Sequence, residues 1–451
     1  MGLGLHGGGV ATARFLANSG CSVIVTDLQS EDVLAPSLAM LADLPIRFVL
    51  GTHEENDFRT ADFVVKNPAV PIDAPLLTRA KRIETDISLF LSISESRIIA
   101  VTGSKGKSST ASAIHHALLG VHGDAKLGGN IATSPLEFLD EESRDPIVLE
   151  LSSWQLADLR GRDLLKPDVS VVLNLLRDHQ NRYSDLESYA ADKQVICESQ
   201  DTGQTCVLNF DDEWVRGFAS STRASIVALS RTPEITGGGE SDGVRRWSGR
   251  AWLDGELGFD TLTGKPMPNI GAKLGVPGDH SRFNLLAAAA ALIRFGVDRE
   301  IACRRLESFP GIRHRLETIS TKAGVRFVND TTATIPDATV AAVSSYDLPI
   351  HLIAGGTDKN LDFTVLEGLS VSSAHFLEGN ATQRMIEAVR RSVPHIFGPF
   401  DTLDAALSSA VEVAGPGSIV LFSPGCTSFE MFKNEFDRGD KFREAVNELP
   451  G

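Results

Sequence analysis

The sequence contains few cysteines, and none is paired with another at a short spacing. The five are scattered along the chain, at Cys21, Cys197, Cys206, Cys303 and Cys426. Without a C-x-x-C pair or a closely spaced cluster, the chain has neither the framework of a disulfide-rich protein nor the ligand spacing of a zinc site. We therefore expect reduced cysteines, as in a cytoplasmic protein.

Long apolar runs and excess positive charge are also missing. The sequence has no stretch of about eighteen apolar residues and no basic segment ahead of a short apolar one, so it indicates neither a membrane span nor a signal peptide. Lysine and arginine total 43 against 59 aspartates and glutamates, which leaves a net charge of -16. A chain this acidic offers no extended positive surface to nucleic acid. The expected partners are small molecules.

The length and the order of the apolar segments predict several α/β domains. With 451 residues, of which 42% are hydrophobic, the chain exceeds what one core holds, and about three domains are expected. Short apolar runs such as CSVIVTDL, SRIIAVT and GSIVLFS alternate with helical patterns, which is typical of mostly parallel sheets. We place the domains at 1–91, 92–297 and 298–451.

The chain opens with a glycine pattern that follows strands in nucleotide-binding sheets. In MGLGLHGGGV, Gly2, Gly4 and Gly7 keep the G-x-G-x-x-G spacing, and Asp27 lies in the next apolar run. This pattern leads a strand into a helix that binds a dinucleotide, so an NAD-dependent oxidoreductase is one interpretation. No strand precedes the pattern here. We therefore expect the first strand of this sheet to be missing, with Met1 as an internal methionine at its end.

A second glycine loop predicts a site for a nucleoside triphosphate. The segment IIAVTGSKGKSST runs from an apolar strand into a helix, and its loop residues are Gly103, Ser104, Lys105, Gly106, Lys107, Ser108 and Ser109. Loop amides and the helix N-terminus would surround phosphate oxygens, Lys107 would reach the terminal phosphates, and Ser108 would bind magnesium. The other interpretation is a glycine turn that only caps a helix.

Two further side chains are candidates for a magnesium site. Glu150 ends the apolar run PIVLE and His179 follows the run VSVVLNLL, so both are expected at the carboxyl edge of the sheet beside the loop. A carboxylate, an imidazole nitrogen and the Ser108 hydroxyl suit magnesium that is held largely through phosphates and water. Taken alone, an ion pair with an arginine explains Glu150 as well, and a surface position explains His179.

Several motifs, in one order, resemble those of the Mur ligase family. After the loop come LGGNIA with Asn130, VLELSSWQL with Glu150, DHQNRY with His179, YAADK with Lys193, GDHSRFN with Asn284, RHRLE with Arg315, FVNDTTAT with Asp330 and Thr334, GGTDKNLDF with Lys359, and SPGCTSFEMFKNEFDRG with Ser428. Any one of these motifs alone is weak evidence for the resemblance. The ordered set spans nearly the whole chain and is most similar to the glutamate-adding members of the family.

The resemblance implies a fold and an activity. The implied fold has a Rossmann-like N-terminal domain without its first strand, a central ATPase domain built on the phosphate loop, and a Rossmann-like C-terminal domain. The implied activity is ATP-dependent addition of D-glutamate to UDP-N-acetylmuramoyl-L-alanine through an acyl phosphate, in peptidoglycan precursor synthesis and thus in cell-wall growth and division. The implied enzyme is a cytoplasmic monomer that binds neither nucleic acid nor membrane.

The family's site residues correspond to positions of this sequence in four groups. The catalytic positions are Lys107, Asn130, His179 and Lys193. The ATP positions are the loop residues 103–109 together with Asn284, Arg315 and Asp330. The uridine diphosphate end of the substrate lies at Leu5, His6 and Asp27, and the glutamate at Thr334, Lys359 and Ser428. Two magnesium ions are implied, held by Ser108, Glu150, His179 and a Lys193 that carries a carbamate derived from carbon dioxide.

Two positions in the implied amino-acid pocket differ from the family pattern. Thr332 stands where a lysine is usual, and Glu435 stands where an aromatic residue is usual. Because both fall near the glutamate positions, addition of L-glutamate to the same precursor is an alternative to D-glutamate. The NAD-dependent oxidoreductase is a more distant alternative, since it leaves the loop at residues 103–109 without a role.

Overall fold

The structure, a computed structural model, has the α/β fold that the sequence predicts. It describes residues 1–5, 7–131, 133–139, 144–176, 183, 185–231, 247–254, 257–260, 265–266, 279–358, 361–428 and 431–450. Most neighbouring strands run parallel. The chain forms two compact units, the first of Met1–Ala272 and Phe283–Glu307 and the second of Lys273–Arg282 and Ser308–Gly451. The three domain boundaries given above stay a prediction.

The first part of unit 1 consists of short helices and two pairs of strands. Its elements are α1 (Gly8–Asn18), β1 (Val23–Asp27), α2 (Glu31–Ala39), β2 (Ile46–Leu50), α3 (Glu55–Thr60), β3 (Val64–Val65), β4 (Ile83–Glu84) and α4 (Asp86–Ile93). Strand β1 pairs in parallel with β2, and β3 pairs in parallel with β4. Small apolar clusters fill the space between these strands and their helices.

Met1 and Gly2 lie between the two strand pairs. The Met1 amino group donates to Val65 O at 2.8 Å. Asn67 N donates to Met1 O at 2.9 Å, and Gly2 N donates to Thr26 O at 2.9 Å. A cavity of about 470 Å³ is lined by β1, β3 and α1. The glycine turn therefore starts from a junction that is hydrogen-bonded to both strand pairs.

The rest of unit 1 is built on one large sheet. Its elements are β5 (Ile98–Thr102), α5 (Lys107–Leu118), β6 (Lys126–Gly129), β7 (Ile147–Glu150), α6 (Ser153–Ala157), β8 (Val169–Val172), α7 (Leu186–Glu198), β9 (Thr205–Asn209), α8 (Glu213–Gly217), β10 (Ser225–Ser230), β11 (Trp247–Asp254), β12 (Leu257–Asp260), β13 (Lys265–Pro266), α9 (Asp279–Phe295) and α10 (Arg299–Glu307). The segment of α9 up to Arg282 belongs to unit 2.

The strand order of this sheet places the phosphate loop near its centre. The order is β13-β12-β11-β10-β9-β8-β5-β7-β6, with antiparallel pairing only for β11–β12 and β12–β13 among the described strands. Strand β5 is buried along its whole length, as expected for a central parallel strand covered on both faces. The loops that follow β5, β7 and β8 therefore leave the same edge of the sheet.

Unit 2 is a smaller α/β sheet with one antiparallel edge strand. Its elements are β14 (Glu317–Lys322), β15 (Val325–Asn329), α11 (Pro336–Val343), β16 (Ile350–Ala354), β17 (Ser373–Leu377), α12 (Thr382–Val389), β18 (Ile396–Phe400), α13 (Leu403–Val413), β19 (Ile419–Phe422) and α14 (Glu435–Glu448). The strand order is β14-β15-β19-β16-β17-β18, and only β14 runs antiparallel to its neighbour. Two apolar clusters cover the sheet.

The order of strands in unit 2 determines where its loops meet. Strand β19 lies between β15 and β16 and is parallel to both. Ligands of open α/β sheets bind at the carboxyl ends of strands where the strand order reverses. The loops after β15 and β19 leave at this point, and they carry Asp330, Thr334 and Ser428.

Capping side chains determine where several site-bearing helices begin. Helix α6 starts at Ser152, which forms a capping box with Gln155. Asn434 caps α14 by accepting from Phe436 N and Asp437 N. Such caps satisfy backbone amides that have no partner inside the helix. None of the helices in the described part of the chain has the length and hydropathy needed to cross a bilayer.

Candidate functional site

The phosphate loop has the backbone geometry that its glycines predict. Gly103 and Gly106 have φ of 153° and 87°, and Gly106 is the residue before the first turn of α5. The amides at the start of α5 are the donors that can surround an anion. Lys107 Nζ lies over the loop, 3.0 Å from Gly103 O and 3.2 Å from Ser104 O. A strand, a glycine loop and a helix N-terminus are therefore assembled in an arrangement that can surround a phosphate.

Asn284, which is expected at the nucleotide, lies beside this loop. A Cβ built on Gly106 would be 2.5 Å from Asn284 Oδ1, which is closer than real Cβ contacts. Asn284 is buried on α9. Gly106 is therefore needed both for its positive φ and for the close approach of Asn284.

Gly106→Ala is expected to weaken binding of a non-hydrolysable ATP analogue at least tenfold. The added methyl displaces Asn284, and the positive φ costs about 1–2 kcal/mol for a residue with a Cβ. Isothermal titration with magnesium present measures the affinity, and thermal unfolding measures the stability. Gly120→Ala is the matched control, because Gly120 has φ +73° but no atom within 4 Å of the added methyl. Equal nucleotide affinity of the two variants would contradict the prediction.

Asn174 is a site residue that sequence reasoning missed. Its side chain accepts from Lys105 N at 2.8 Å and donates to Lys105 O at 3.1 Å. Its carbonyl accepts from Ser104 N at 2.8 Å. Asn174 follows the buried strand β8, and a polar residue directly after an apolar run was the signal that could have identified it. It holds the loop against the sheet edge.

Glu150 presents a buried carboxylate at the same sheet edge. Its Oε1 accepts from Asn130 Nδ2 at 2.9 Å. Its Oε2 is buried and accepts no hydrogen bond from the residues that the structure describes. An oxygen in this state suits a cation, because a buried carboxylate without a partner is costly. The structure thus brings Glu150 and Asn130 together.

The described residues contain no group of three histidine, cysteine, aspartate or glutamate side chains that could hold a metal ion. His179, the expected third ligand, lies outside the described residues. The other expected ligands, Ser108, Glu150 and Lys193, lie within the described residues. The unpartnered Oε2 of Glu150 fits the hard, oxygen-rich coordination that magnesium prefers.

Lys193 lies under the phosphate loop. Its Nζ donates to Gly103 O at 3.0 Å, lies 3.4 Å from Thr102 Oγ1, and is 4.8 Å from the centre of the Tyr189 ring. The side chain is buried. Tyr189 in turn contacts Ser104 through its hydroxyl at 3.0 Å. This places Lys193 at the loop rather than on the solvated face of α7.

The carboxylate of Asp27 supports the glycine turn at the start of the chain. Asp27 Oδ2 accepts from Gly4 N at 3.1 Å, and Oδ1 accepts from Gln29 N at 2.9 Å. Leu5 is exposed beside the turn. His6, the other residue expected at the uridine end, lies outside the described residues. Asp27 thus holds the backbone that would face a diphosphate.

In unit 2, Asp330 connects the loops at the carboxyl edge of the sheet. Its Oδ1 accepts from Leu316 N at 3.1 Å, and its Oδ2 accepts from Ser423 Oγ at 2.8 Å. Burial raises the pKa of this carboxyl to about 7. Arg315, the neighbouring candidate for ATP, is exposed.

Two of the three expected glutamate positions lie on loops that are hydrogen-bonded to each other. Gly425 N, in the loop after β19, donates to Ala333 O, in the loop after β15, at 2.9 Å. Ser428 is buried and Thr334 is half-buried. These two residues are therefore on neighbouring loops. Lys359, the third expected residue, lies outside the described residues.

Thr332, which differs from the family pattern, has a clear structural role. Its hydroxyl donates to His314 O at 3.0 Å, and its amide donates to the same oxygen at 3.2 Å. Glu435, the other departure, begins α14, and its carbonyl accepts from Thr331 Oγ1 at 2.9 Å. Thr332 thus supports the loop after β15 with its side chain.

Arg438 is a second residue that sequence reasoning missed. From the first turn of α14, its Nε donates to Thr331 Oγ1 at 2.9 Å, and its two terminal nitrogens donate to Thr331 O at 2.8 Å and Cys426 O at 3.1 Å. Burial lowers its pKa to about 10, so the guanidinium stays charged at neutral pH. Arg438 lies in the charged segment EFDRGDKFRE, whose sequence pattern does not predict a buried arginine. It ties together the loops after β15 and β19.

Two family models match the chain. Residues 101–292 match the Mur ligase middle domain. Residues 1–88 match the Mur ligase MurD-like N-terminal domain. The matched segments include the glycine turn, the phosphate loop, Glu150 and Lys193.

Full-length relatives and a solved structure agree with these matches. A "UDP-N-acetylmuramoylalanine--D-glutamate ligase" from Borreliella afzelii is 41% identical over 100% of this chain and 97% of the relative. A relative of the same name from Roseiflexus sp. is 39% identical over 99% of this chain and 97% of the relative. The structure of UDP-N-acetylmuramate-alanine ligase from Thermotoga maritima has a TM-score of 0.61 at 19% identity, covering 99% of this chain and 98% of that one, which shows a shared fold.

Proposed function

The chain belongs to the Mur ligase family, and we propose that it is the ATP-dependent ligase that joins D-glutamate to UDP-N-acetylmuramoyl-L-alanine. The observation that carries this proposal is the 41% identity over the full chain to a relative with that name. The role belongs to peptidoglycan precursor synthesis. A cytoplasmic monomer with domains at 1–91, 92–297 and 298–451 is part of the same proposal.

The proposed reaction has two steps. The carboxylate of the muramoyl-L-alanine attacks the γ-phosphorus of ATP, which forms an acyl phosphate and releases ADP. The amine of glutamate then attacks the acyl carbon, an amide bond forms, and inorganic phosphate and a proton leave. The protein's task is to hold anionic reactants in line and to stabilise the charge that develops between them. No nucleophile from the protein is needed.

Residues of unit 1 are proposed to hold the phosphates and the metal. The loop amides at 103–109 and Lys107 bind the β and γ phosphates, and Asn284 lies on the nucleotide side of the loop. Ser108, Glu150, His179 and Lys193 are proposed to hold two magnesium ions. Bound magnesium supplies positive charge at the phosphate oxygens. Asn130 orients Glu150 through the hydrogen bond between their side chains.

Lys193 is proposed to be carbamylated. Its ammonium loses a proton, the neutral amine attacks carbon dioxide, an N–C bond forms and a second proton is released, so that a cation beside the phosphate loop becomes an anion with two oxygen ligands. The burial of Lys193 against Gly103 supports this position. An ammonium at the same place would repel a magnesium ion.

Lys193→Ala is expected to be inactive in phosphate release and to regain part of its activity with added formate or acetate. The small carboxylate replaces the lost ligand oxygens. Lys166→Ala is the control, because Lys166 is exposed and pairs only at the surface with Asp163. An active-state crystal structure with an unmodified Lys193 amine would refute the modification, as would full activity of Lys193→Ala without a carboxylate.

Residues of unit 2 are proposed to hold glutamate and part of ATP. Thr334, Lys359 and Ser428 are the proposed glutamate residues, and Arg315 and Asp330 are proposed to face ATP. The hydrogen bond between Gly425 N and Ala333 O supports the pairing of the two loops. Thr332 contributes to this pocket through the loop that it supports.

A phosphate-release assay tests the proposed function. ATP, magnesium and UDP-N-acetylmuramoyl-L-alanine are mixed with D-glutamate or, separately, with L-glutamate. We expect release that requires all substrates and is much faster with D-glutamate. Faster release with L-glutamate would establish the alternative amino acid. Tight NADH binding without phosphate release would favour an oxidoreductase, although residues 1–88 match a Mur ligase domain.

A further inference from the structure

A buried ion pair connects the first part of unit 1 with the large sheet. Lys66 Nζ lies 2.6 Å from Asp158 Oδ2, and the two side chains are 0% and 2% exposed. Charges are rarely buried unless they are paired, because removing them from water is costly. Asp86 is a second carboxyl near Lys66; burial raises its pKa, while Ser134 Oγ donates to it at 3.0 Å.

On one side, Lys66 supports the glycine turn. Its Nζ also donates to Val70 O at 3.0 Å, which shapes the loop after β3. A methyl group on Gly2 would lie 2.9 Å from Asn67 Cβ and 3.2 Å from Val70 Cγ2. Asn67 N donates to Met1 O at 2.9 Å. The loop that Lys66 holds is therefore packed directly against the start of the glycine turn.

On the other side, Asp158 follows the helix that begins after Glu150. Strand β7 ends at Glu150, and α6 starts at the Ser152 capping box and ends just before Asp158. Asp158 N donates to Trp154 O at 3.2 Å, so its backbone continues the helix. The Asp158 side chain is therefore joined to the strand end that carries Glu150 by a single short capped helix.

We propose that Lys66 is a positioning residue that couples the sugar-nucleotide end of the site to the metal and ATP end. This rests on the proposed function, with Glu150 holding magnesium and the glycine turn holding the uridine diphosphate, as the family resemblance implies. Through the pair with Asp158, Lys66 holds the turn and Glu150 in one arrangement. Binding of the sugar nucleotide then favours the arrangement that binds magnesium and ATP, and binding of magnesium and ATP favours the arrangement that binds the sugar nucleotide. Such coupling between two binding affinities is reciprocal.

The experiment measures coupling in binding, without turnover. Titration calorimetry gives the dissociation constant of UDP-N-acetylmuramoyl-L-alanine with and without a magnesium complex of a non-hydrolysable ATP analogue. For the unaltered protein we expect the analogue to tighten substrate binding about fivefold or more, the lower range of common coupling factors. In Lys66→Met we expect a ratio near one and a higher KM for the sugar nucleotide.

A double variant separates positioning from a purely structural role. Lys66→Met alone removes the cation that pairs with the buried Asp158 carboxylate and is expected to lower the melting temperature. Replacing both members of a buried ion pair by apolar residues is often neutral for stability. In Lys66→Met/Asp158→Leu the melting temperature is therefore expected to recover, whereas the coupling ratio stays near one. Recovery of both would overturn the proposal and leave Lys66 a structural role.

Arg162→Gln is the matched control. Arg162 pairs with Glu84 at 2.6 Å, linking the same two parts of unit 1 without contacting the glycine turn. It is expected to keep the coupling ratio within about twofold of the unaltered protein, and an equal loss in this variant would contradict a specific role for Lys66. If the double variant does not fold, Asp158→Asn, which keeps the shape of the side chain and removes its charge, is measured instead, and an unchanged ratio there would overturn the proposal.

Two failures remain distinguishable. If the unaltered protein binds no UDP-N-acetylmuramoyl-L-alanine and releases no phosphate with either glutamate, the proposed function is wrong. If it does both, and Lys66→Met keeps the full coupling ratio, only the role of Lys66 is wrong.

Discussion

Glu150→Gln is expected to lower the kcat of phosphate release by about two to three orders of magnitude, the loss typical when one preorganised electrostatic contact to a transition state is removed. The substitution keeps the shape of the side chain and an oxygen that can accept from Asn130 Nδ2. It removes the negative charge at Oε2, the buried oxygen without a partner among the described residues. The fold is expected to stay intact, because burying a neutral amide costs less than burying a carboxylate.

Steady-state kinetics and a manganese titration together check this prediction. Weaker manganese binding in Glu150→Gln, with an unchanged melting temperature, would locate the defect at the metal. Glu198→Gln is the control, since Glu198 is an exposed residue at the end of α7 and undergoes the same chemical change. A kcat within threefold of the unaltered protein would show that Glu150 does not take part in charge stabilisation.

Arg438→Met is expected to lower the free energy of unfolding by about 3–5 kcal/mol. Three acceptors, two on Thr331 and one on Cys426, lose a charged donor inside the protein. Each hydrogen bond to a charged group contributes about 1.5–3 kcal/mol, and the three contributions are not additive. Because the guanidinium ties the loops that carry Thr334 and Ser428, we also expect the KM for glutamate to rise at least tenfold.

Urea unfolding and glutamate kinetics measure the two effects of Arg438→Met. Lys441→Gln, on the same helix, breaks a pair with Asp437 and a cation–π contact with the Phe432 ring, and is expected to cost about 1 kcal/mol. Arg438→Lys keeps the positive charge but loses the planar guanidinium. Its loss of unfolding free energy is expected to lie between those of Lys441→Gln and Arg438→Met. Unfolding of Arg438→Met at the same urea concentration as the unaltered protein would contradict the role assigned to this arginine.

The phosphate loop could be predicted from the sequence because its conformation is determined by residues that are neighbours in the chain. Glycines at positions of positive φ, an apolar run before them and a helical pattern after them are neighbours in the chain. The same holds for Glu150, whose place at a sheet edge follows from the apolar strand that it ends. Alternation of strands and helices likewise predicted parallel sheets, since such connections are built into the order of the elements.

Asp27 is predicted to lie at the uridine end of the substrate, and the fold adds a supporting role for its carboxylate that the sequence did not predict. Its carboxylate accepts from Gly4 N and Gln29 N, so that it supports the turn. Thr332 was recognised as a departure from the family pattern, yet only the fold shows that its hydroxyl holds His314 O. In both cases the residue type was visible, whereas the direction of the side chain depends on backbone groups that come from elsewhere in the chain.

Residues that act across long sequence distances were beyond prediction. Lys66 after a short strand, Asn174 after another, and Arg438 in a charged helix all have the local pattern of solvated side chains. Each is positioned by packing with a remote segment: Lys66 with Asp158, Asn174 with the phosphate loop, Arg438 with Thr331 and Cys426. Local periodicity reports which face of an element is apolar, but a buried polar side chain depends on which partner the tertiary fold brings to it.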